Sequence, residues 1–78
     1  MPPKFGSDKL YEARKAKNVT QEHLAELTNS STRYIGALER GENDNPSAAL
    51  VYQLSEALGV SMEALMETSK ELGGDSIN

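Results

Sequence analysis

The sequence predicts a small all-α domain, and three features of the chain support this prediction. Apolar residues recur at helical spacing, Ser, Thr and Asn residues stand where helices would begin or turn, and no segment alternates apolar and polar residues as a half-buried strand does. With 78 residues, the chain is long enough for one domain. Because small domains bury a low fraction of their surface, we expect a second copy of the chain to add stability.

The composition excludes several classes of protein. Apolar residues make up 37% and charged residues 26% of the chain, which is typical of a folded domain rather than a disordered one. The chain has no Cys and one His, so it has no disulfide or thiolate zinc site and little material for another metal site. Without an apolar run of about 18 residues or a secretory signal, we expect a cytoplasmic protein that has no membrane contact, cofactor or metal.

Five helices are expected along the chain, separated by short turns. Each begins at or just after a residue that can cap a helix, and the third and fourth end at a glycine. Their expected ranges are Ser7 or Asp8 to about Lys17, Thr20–Leu27, Ser31–Arg40, Ser47 to Gly59, and Met62 to about Met66 or beyond. We expect the domain to span residues 7–67, with partly flexible terminal segments at 1–6 and 68–78.

Local signals define the second helix in particular. Thr20 is a good N-cap, and Val19 before it can pack on Leu24 as a hydrophobic staple. Leu24 and Leu27 form the apolar face of this helix, and Asn29 in the following turn can adopt a left-handed backbone conformation. We therefore expect a short helix that is followed by a tight reversal of the chain.

Apolar spacing supports the remaining helices. Leu10 and Ala13 share a face of the first helix, and Ile35 and Leu38 form the core side of the third, which Gly41 ends. A polar loop separates the third helix from the fourth, and no strand is predicted anywhere in the chain. The fourth helix carries five apolar residues at helical spacing, namely Leu50, Val51, Leu54, Ala57 and Leu58.

The second and third helices form the most informative unit of the chain. Each has about two turns, and the three residues between them are too few for the pair to lie antiparallel without leaving their apolar faces open. The two helices are therefore expected to cross steeply, as in a helix-turn-helix, and to pack on the other three.

Four segments carry a recognisable pattern around this unit. They read Thr20-Gln21-Glu22-x-Leu24-Ala25-Glu26, Ser31-x-x-Tyr34-Ile35-x-x-Leu38-Glu39-Arg40-Gly41, Asn45-Pro46-Ser47, and Leu54-x-Glu56-Ala57-Leu58-Gly59-Val60-Ser61. From about Leu10 to Met66, the chain resembles the phage repressor and Cro type of helix-turn-helix, also called the xenobiotic-response-element family.

The resemblance implies a five-helix, lambda-repressor-like domain that binds double-stranded DNA as a transcriptional regulator. In this family the third helix enters the major groove, with its first turn toward the base edges. Thr32, Arg33 and Gly36 match base-reading positions, and Ala37 lies beside them. Gln21 matches the position that grips a phosphate and braces the reading residues. The residues expected at the DNA are Lys17, Gln21, Ser31, Thr32, Arg33, Gly36, Ala37, Arg40, Asn43 and Asn45.

Considered without the resemblance, the same residues leave alternatives open. Arg33 is the one long basic side chain in the first turn of the third helix, and it either binds guanine O6 and N7 or lies solvated on an exposed face. Gly36 costs about 1 kcal/mol relative to Ala in a helix. It either lets the helix approach DNA closely or is a tolerated surface glycine. Ala37 either contacts a thymine methyl or has no function.

Arg14 and Glu39 are expected to form a structural ion pair. Arg14 follows Leu10 by four residues and Glu39 follows Ile35 by four, so each lies at the edge of a stripe that faces the core. Two partly buried charges of opposite sign near one core should pair, because an unpaired buried charge is costly. The resemblance implies the same pair, between the first and third helices.

The fifth helix and the residues after it predict a homodimer. Met62, Leu65 and Met66 lie at helical spacing, with Leu72 after them, and so short a helix cannot bury every apolar group against one small core. For Leu65 alone, packing inside the domain is the alternative.

The charge distribution keeps two functions open. Residues 1–40 carry seven basic and five acidic side chains, whereas residues 41–78 carry one basic and seven acidic ones. Such an asymmetry points to contact between the basic half and a polyanion, but Glu42 and Asp44 in the loop after the third helix would repel phosphates.

We expect a sequence-specific regulator, a small repressor or autoregulator that binds a palindromic operator as a homodimer. The alternative is a protein-interaction module, such as a helix-turn-helix antitoxin or a bridging factor. An enzyme is not expected, because the chain has one His, no Cys and no glycine-rich phosphate loop.

Overall fold

The computed structural model describes residues 4–67, which form four α-helices, one 3-10 turn and two short strands. In chain order these are β1 Lys4–Phe5, α1 Ser7–Lys17, α2 Gln21–Leu27, α3 Thr32–Arg40, α4 Ala48–Leu58, the 3-10 turn Glu63–Leu65 and β2 Met66–Glu67. No helix in this part of the chain is long and apolar enough to cross a bilayer. The first four helices lie where the sequence predicts them, although the cap of the first one differs, and the small helical domain is confirmed.

The expected fifth helix is wrong within residues 4–67, where four α-helices are present, so the five-helix count is not confirmed. The chain makes only the 3-10 turn Glu63–Leu65, and Ser61 accepts a hydrogen bond from the amide of Ala64 at 3.1 Å. Met66 then has an extended backbone, with φ −113° and ψ 147°, and pairs with Phe5. The pairing of β2 therefore ends the helical conformation after one turn.

Side-chain caps begin three of the four α-helices. The hydroxyl of Thr20 accepts from the amide of His23 at 3.0 Å, and Ser31 accepts from Tyr34 at the same distance. Ser47 accepts from the amide of Leu50 at 3.1 Å. Each hydroxyl satisfies one of the amides that a helix leaves unpaired at its first turn. The first helix differs from the prediction, because Gly6 is its N-cap and makes no side-chain cap, while Ser7 lies inside the helix.

Left-handed residues end the helices and reverse the chain. Gly41 and Gly59 have φ values of 80° and 69°, which glycine adopts without steric cost. Asn18, after α1, and Asn29, between α2 and α3, have φ values of 63° and 55°. Asn is tolerated there because its short polar side chain can bond to nearby backbone groups.

The antiparallel pair β1–β2 is a further departure from the prediction. Lys4 pairs with Glu67 and Phe5 with Met66, and the amide of Gly6 donates to the carbonyl of Leu65 at 2.9 Å. Two-residue strands are too short to produce an alternating pattern, so the sequence carried no signal for them. Phe5, which was expected in a terminal segment, is buried in the core.

The core lies where the four helices, β1 and the 3-10 turn meet. Its buried apolar residues are Phe5, Leu10, Leu24, Ala25, Ile35, Leu38, Val51, Leu54, Leu58 and Leu65. The assignment of Leu27 to the apolar face of α2 is wrong, because this side chain is 51% exposed. Leu27 is the last residue of α2 and lies beside Tyr52 of α4, which is 54% exposed.

Candidate nucleic-acid interface

The α2–α3 pair is held by the turn between its helices. Thr28 is buried, and its hydroxyl donates to the carbonyl of Leu24 at 2.8 Å. The amide of Ser30 donates to the carbonyl of Ala25 at 2.8 Å, so the reversal is tied to the body of α2. Ala25 is buried, and its small side chain permits the two helices to approach closely. The turn that leads into α3 is therefore tied to the last residues of α2.

A buried ion pair connects α1 to α3. Arg14 Nε lies 2.5 Å from Glu39 Oε2 and Arg14 Nη2 lies 3.1 Å from Oε1, with the two side chains only 10% and 4% exposed. Arg14 Nη1 also donates to the carbonyl of Val19 at 2.8 Å. The hydrogen bond with Glu39 is the largest cause that raises the pKa of Arg14 above its ordinary value, while burial opposes it. All the buried side-chain polar atoms within residues 4–67 have partners.

The same carboxylate orients the first side chain of α2. Gln21 Nε2 donates to Glu39 Oε1 at 2.9 Å. A carboxylate only accepts hydrogen bonds, so this contact decides which end of the amide faces Glu39 and leaves Gln21 Oε1 as an acceptor for another group. Gln21 is thus braced by a network that begins at Arg14 in α1.

Gly36 is buried, so the alternative of a tolerated surface glycine is wrong. A Cβ built on Gly36 would lie 3.0 Å from Arg40 Nη1 and 3.8 Å from both polar atoms of the Gln21 amide. The Arg40 and Gln21 side chains therefore cover Gly36 on the face of α3 that is expected to meet DNA. Direct contact between Gly36 and a base would require these two side chains to move.

Arg40 is held by an ion pair that the sequence analysis missed. Its Nε lies 2.8 Å from Glu42 Oε2, and its Nη2 donates to Glu42 Oε1 at 3.1 Å. This hydrogen-bonded pair raises the pKa of Arg40 and lowers the pKa of Glu42 relative to their ordinary values. The sequence predicts only repulsion of phosphates by Glu42 and Asp44, because its spacing does not show that the left-handed turn at Gly41 brings Glu42 back to Arg40.

The remaining residues expected at the DNA surround this face. Arg33, in the first turn of α3, is exposed, and it makes no salt bridge or side-chain hydrogen bond within residues 4–67. Ala37 is half-buried, as is Gln21, and the side chain of Asn43 accepts from the amide of Asn45 at 3.3 Å. The exposed members of the set are Lys17, Ser31, Thr32, Arg33, Arg40 and Asn45.

The residues expected at a dimer interface do not all lie on the surface. Leu65 is fully buried in the core, so the alternative of internal packing is correct for this residue. Met62 is exposed and Met66 is half-buried, and Leu72 lies outside the described residues. The two Met residues contribute to a largely apolar groove of about 270 Å³ lined by Pro46, Ala48, Val51, Met62, Glu63 and Met66.

Comparison with known proteins agrees with this geometry. A family model described as Helix-turn-helix matches residues 10–65. An uncharacterized HTH-type transcriptional regulator of Sinorhizobium fredii, y4dJ, is 38% identical over 58 residues, which is 74% of this chain and 74% of that protein.

Solved structures share the fold over most of the chain. The restriction-modification controller protein C.AhdI from Aeromonas hydrophila has 36% identity and a TM-score of 0.71, over 76% of this chain and 88% of that chain. SinR, a master regulator for biofilm formation solved in complex with DNA, has 29% identity and a TM-score of 0.72, over 76% of this chain and 97% of that chain. HppE, at 22% identity over 35% of its own chain, is similar in fold alone, with a TM-score of 0.75.

These similarities confirm the resemblance in the residue pattern. The matched range covers α1 to the 3-10 turn, which includes the whole α2–α3 unit and the residues that orient it. The chain therefore belongs to the helix-turn-helix family of DNA-binding transcriptional regulators, of the phage repressor type.

Proposed function

We propose that this protein is a sequence-specific regulator that binds a palindromic operator as a homodimer and places α3 in the major groove. The observation that carries the proposal is the exposed first turn of α3 beside a fixed polar neighbour. Thr32 and Arg33 are exposed, and the Gln21 amide, which lies beside Gly36 of α3, is held by the buried side chain of Glu39. Side chains that are oriented before binding lose less entropy when they contact a base or a phosphate.

Arg33 is the residue that we assign to direct base recognition. It is the one Lys or Arg in the first turn of α3, and it has no ion-pair partner within the described part of the chain. A free guanidinium there can bind guanine O6 and N7 together, and such a contact is worth about 1–3 kcal/mol of discrimination. Thr32 adds a hydroxyl and a methyl, which suit several bases.

Few positive charges are available for the phosphates. Lys17 and Arg33 are exposed, but Arg40 is already paired with Glu42, and Asp44 adds a second acid to the same loop. Because phosphate contacts provide a large part of the affinity for DNA, one protomer should bind only modestly. Two protomers on adjacent half-sites would combine their contacts, which supports a dimeric regulator.

The groove beside Met62 and Met66 is the surface that we assign to dimerisation. It is largely apolar and lies between the start of α4 and the 3-10 turn, away from the first turn of α3 in sequence. An exposed apolar groove of this kind loses contact with water when a second copy covers it.

Selection from random duplex DNA tests this proposal. The expected result is an enriched site with two-fold symmetry, with half-sites about one helical turn, roughly 34 Å, apart. Arg33→Ala should lose preference for the selected site more than affinity for random DNA, whereas Lys17→Ala should lower both together. A selection at low salt and high protein concentration that enriches no sequence would contradict the proposal.

A second candidate function follows from the exposed apolar pair Leu27 and Tyr52. These side chains line a groove of about 310 Å³ together with Gln53, Glu56 and Ala57. The pair favours a protein-interaction module, such as an antitoxin or a bridging factor. In that case Leu27→Asp would abolish binding to the protein partner and leave DNA binding unchanged. If the protein is a regulator that uses no partner at this groove, Leu27→Asp would leave its binding properties unchanged.

A further inference from the structure

The guanidinium of Arg40 lies one helical turn nearer the start of α3 than its own Cα. Arg40 is the last residue of α3, but its Nη1 lies 3.0 Å from the position of a Cβ on Gly36. Four residues of helix correspond to about 6 Å along the axis, and helical side chains lean toward the N-terminus. The charged head is thereby brought from the end of the helix toward the turn that faces the bases, next to the Gln21 amide.

Gly36 makes this position available. Even one Cβ at residue 36 would lie 3.0 Å from Nη1, so the guanidinium would have to shift by a few tenths of an ångström, and a longer side chain would displace it further. Glycine within a helix costs stability relative to Ala. The structure therefore gives Gly36 a role that neither sequence interpretation contained: its missing side chain lets the Arg40 guanidinium pack against α3 at this position.

Glu42 determines which edge of the guanidinium stays free. The carboxylate binds Nε and Nη2, which form one side of the planar group. The other pair of N–H bonds, on Nη1 and Nη2, has no hydrogen-bond acceptor among residues 4–67. Two parallel N–H bonds on one edge of Arg match the O6 and N7 acceptors of guanine in the major groove.

We propose that Arg40 reads a guanine through its Nη1–Nη2 edge, and that Glu42 is the positioning residue that holds this edge over Gly36. The inference rests on the proposed function, since it requires α3 to lie in the major groove. It assigns Arg40 to base recognition rather than to a phosphate. It also gives Glu42 a favourable part in recognition, although its charge repels the DNA backbone.

Base preference separates this role from simple electrostatics. Selection from random duplex DNA would be carried out with the unchanged protein and with Arg40→Lys, Glu42→Gln and Asp44→Asn. Arg40→Lys keeps the charge but lacks the two parallel N–H bonds. Asp44→Asn is the matched control, because Asp44 lies in the same loop but makes no side-chain contact with Arg40 among the interactions within residues 4–67. All three positions are exposed, and circular dichroism spectra would verify that each variant is folded.

The expected result is confined to one base position in each half-site. Arg40→Lys should lower the preference for guanine there by roughly 5- to 150-fold, the usual worth of a bidentate Arg–guanine contact, with no change at the other positions. Glu42→Gln should lower the same preference in part and raise general affinity, whereas Asp44→Asn should raise general affinity alone.

Several outcomes would overturn the inference. An unchanged guanine preference in Arg40→Lys shows that the paired Nη1–Nη2 edge of Arg40 does not read the base, and an unchanged preference in Glu42→Gln shows that Glu42 does not position it. Equal losses in Glu42→Gln and Asp44→Asn would assign the effect to charge. If the unchanged protein enriches a symmetric site but the Arg40 and Glu42 variants do not behave as expected, the proposed function stands without a base contact from Arg40. If the unchanged protein enriches no site, the proposed function itself fails.

Discussion

Removal of the Arg14 side chain should destabilise the protein strongly, because it leaves Glu39 as an unpaired charge in a buried position. The Glu39 side chain is 4% exposed, and Arg14 supplies two hydrogen bonds to it and one to the carbonyl of Val19. Breaking a buried pair by removing one partner costs about 3–5 kcal/mol. The total unfolding free energy of a chain this short is on the order of 4–12 kcal/mol.

Thermal and urea denaturation would measure this loss in Arg14→Met. With about 4–8 °C of melting temperature per kcal/mol in a domain of this size, the midpoint should fall by at least 12 °C or so. Lys15→Met is the matched control, since Lys15 is the next residue in α1 and is exposed. It should change the midpoint by no more than a few degrees.

The double variant Arg14→Met with Glu39→Leu separates the ion pair from the space it fills. Removing both charges leaves no unpaired carboxylate, so most of the lost stability should return, even though Gln21 loses its acceptor. Equal midpoints for Arg14→Met and Lys15→Met, or a double variant less stable than Arg14→Met, would refute the argument that Glu39 is the cause.

Further predictions concern the face of α3 and the dimer. Gly36→Ala should raise stability by up to about 1 kcal/mol in urea denaturation, because exposed Arg40 can move away, while preference for the selected site falls; a destabilised variant would show that Arg40 cannot yield. The pKa of Glu42 lies below its ordinary value because Arg40 binds it. The pair therefore adds its full stability at a pH above the ordinary pKa of Glu, and that stability is lost as the pH falls through the lowered pKa of Glu42. Titration followed by NMR should show this shift, and Arg40→Ala should abolish it; identical titrations in both proteins would contradict the ion pair. Replacing Glu42 and Asp44 together with Lys should raise affinity for all DNA and steepen the salt dependence by about 0.9 per new phosphate contact, and an unchanged slope would place the loop away from DNA. Met66→Asp should shift the protein from dimer to monomer in sedimentation at about 100 μM with its helicity retained, and a wild-type monomer at that concentration would exclude the dimer.

Features that depend on neighbouring residues could be predicted from the sequence. The caps at Thr20, Ser31 and Ser47 each bond to an amide three residues away, so a short stretch of chain is sufficient to predict them. The Arg14–Glu39 ion pair could be predicted because both residues lie at the edge of an apolar stripe that faces the core, and because an unpaired buried charge is costly. The left-handed turn at Asn29 likewise follows from the chemistry of one side chain.

Features that depend on distant parts of the chain could not be predicted in this way. The paired strands join residues more than 60 positions apart, and each is too short to leave a pattern. The position of Leu27 at the end of α2 removes it from the core, although it fits the helical spacing. The placement of Arg40 over Gly36 requires the turn at Gly41 and the contact with Glu42 to form together, and spacing alone contains neither.

The pairing of β1 with β2 means that the domain begins and ends at the same point. A chain that enters at Lys4 leaves at Glu67, its partner residue, about 5 Å away across the ribbon. Because residues 4 and 67 are so close together, the domain could be inserted into a surface loop of another protein without separating the ends of that loop. For the same reason, a circular permutant that joins residue 67 to residue 4 through a few glycines, and opens in the loop 42–46, would keep every helix in place.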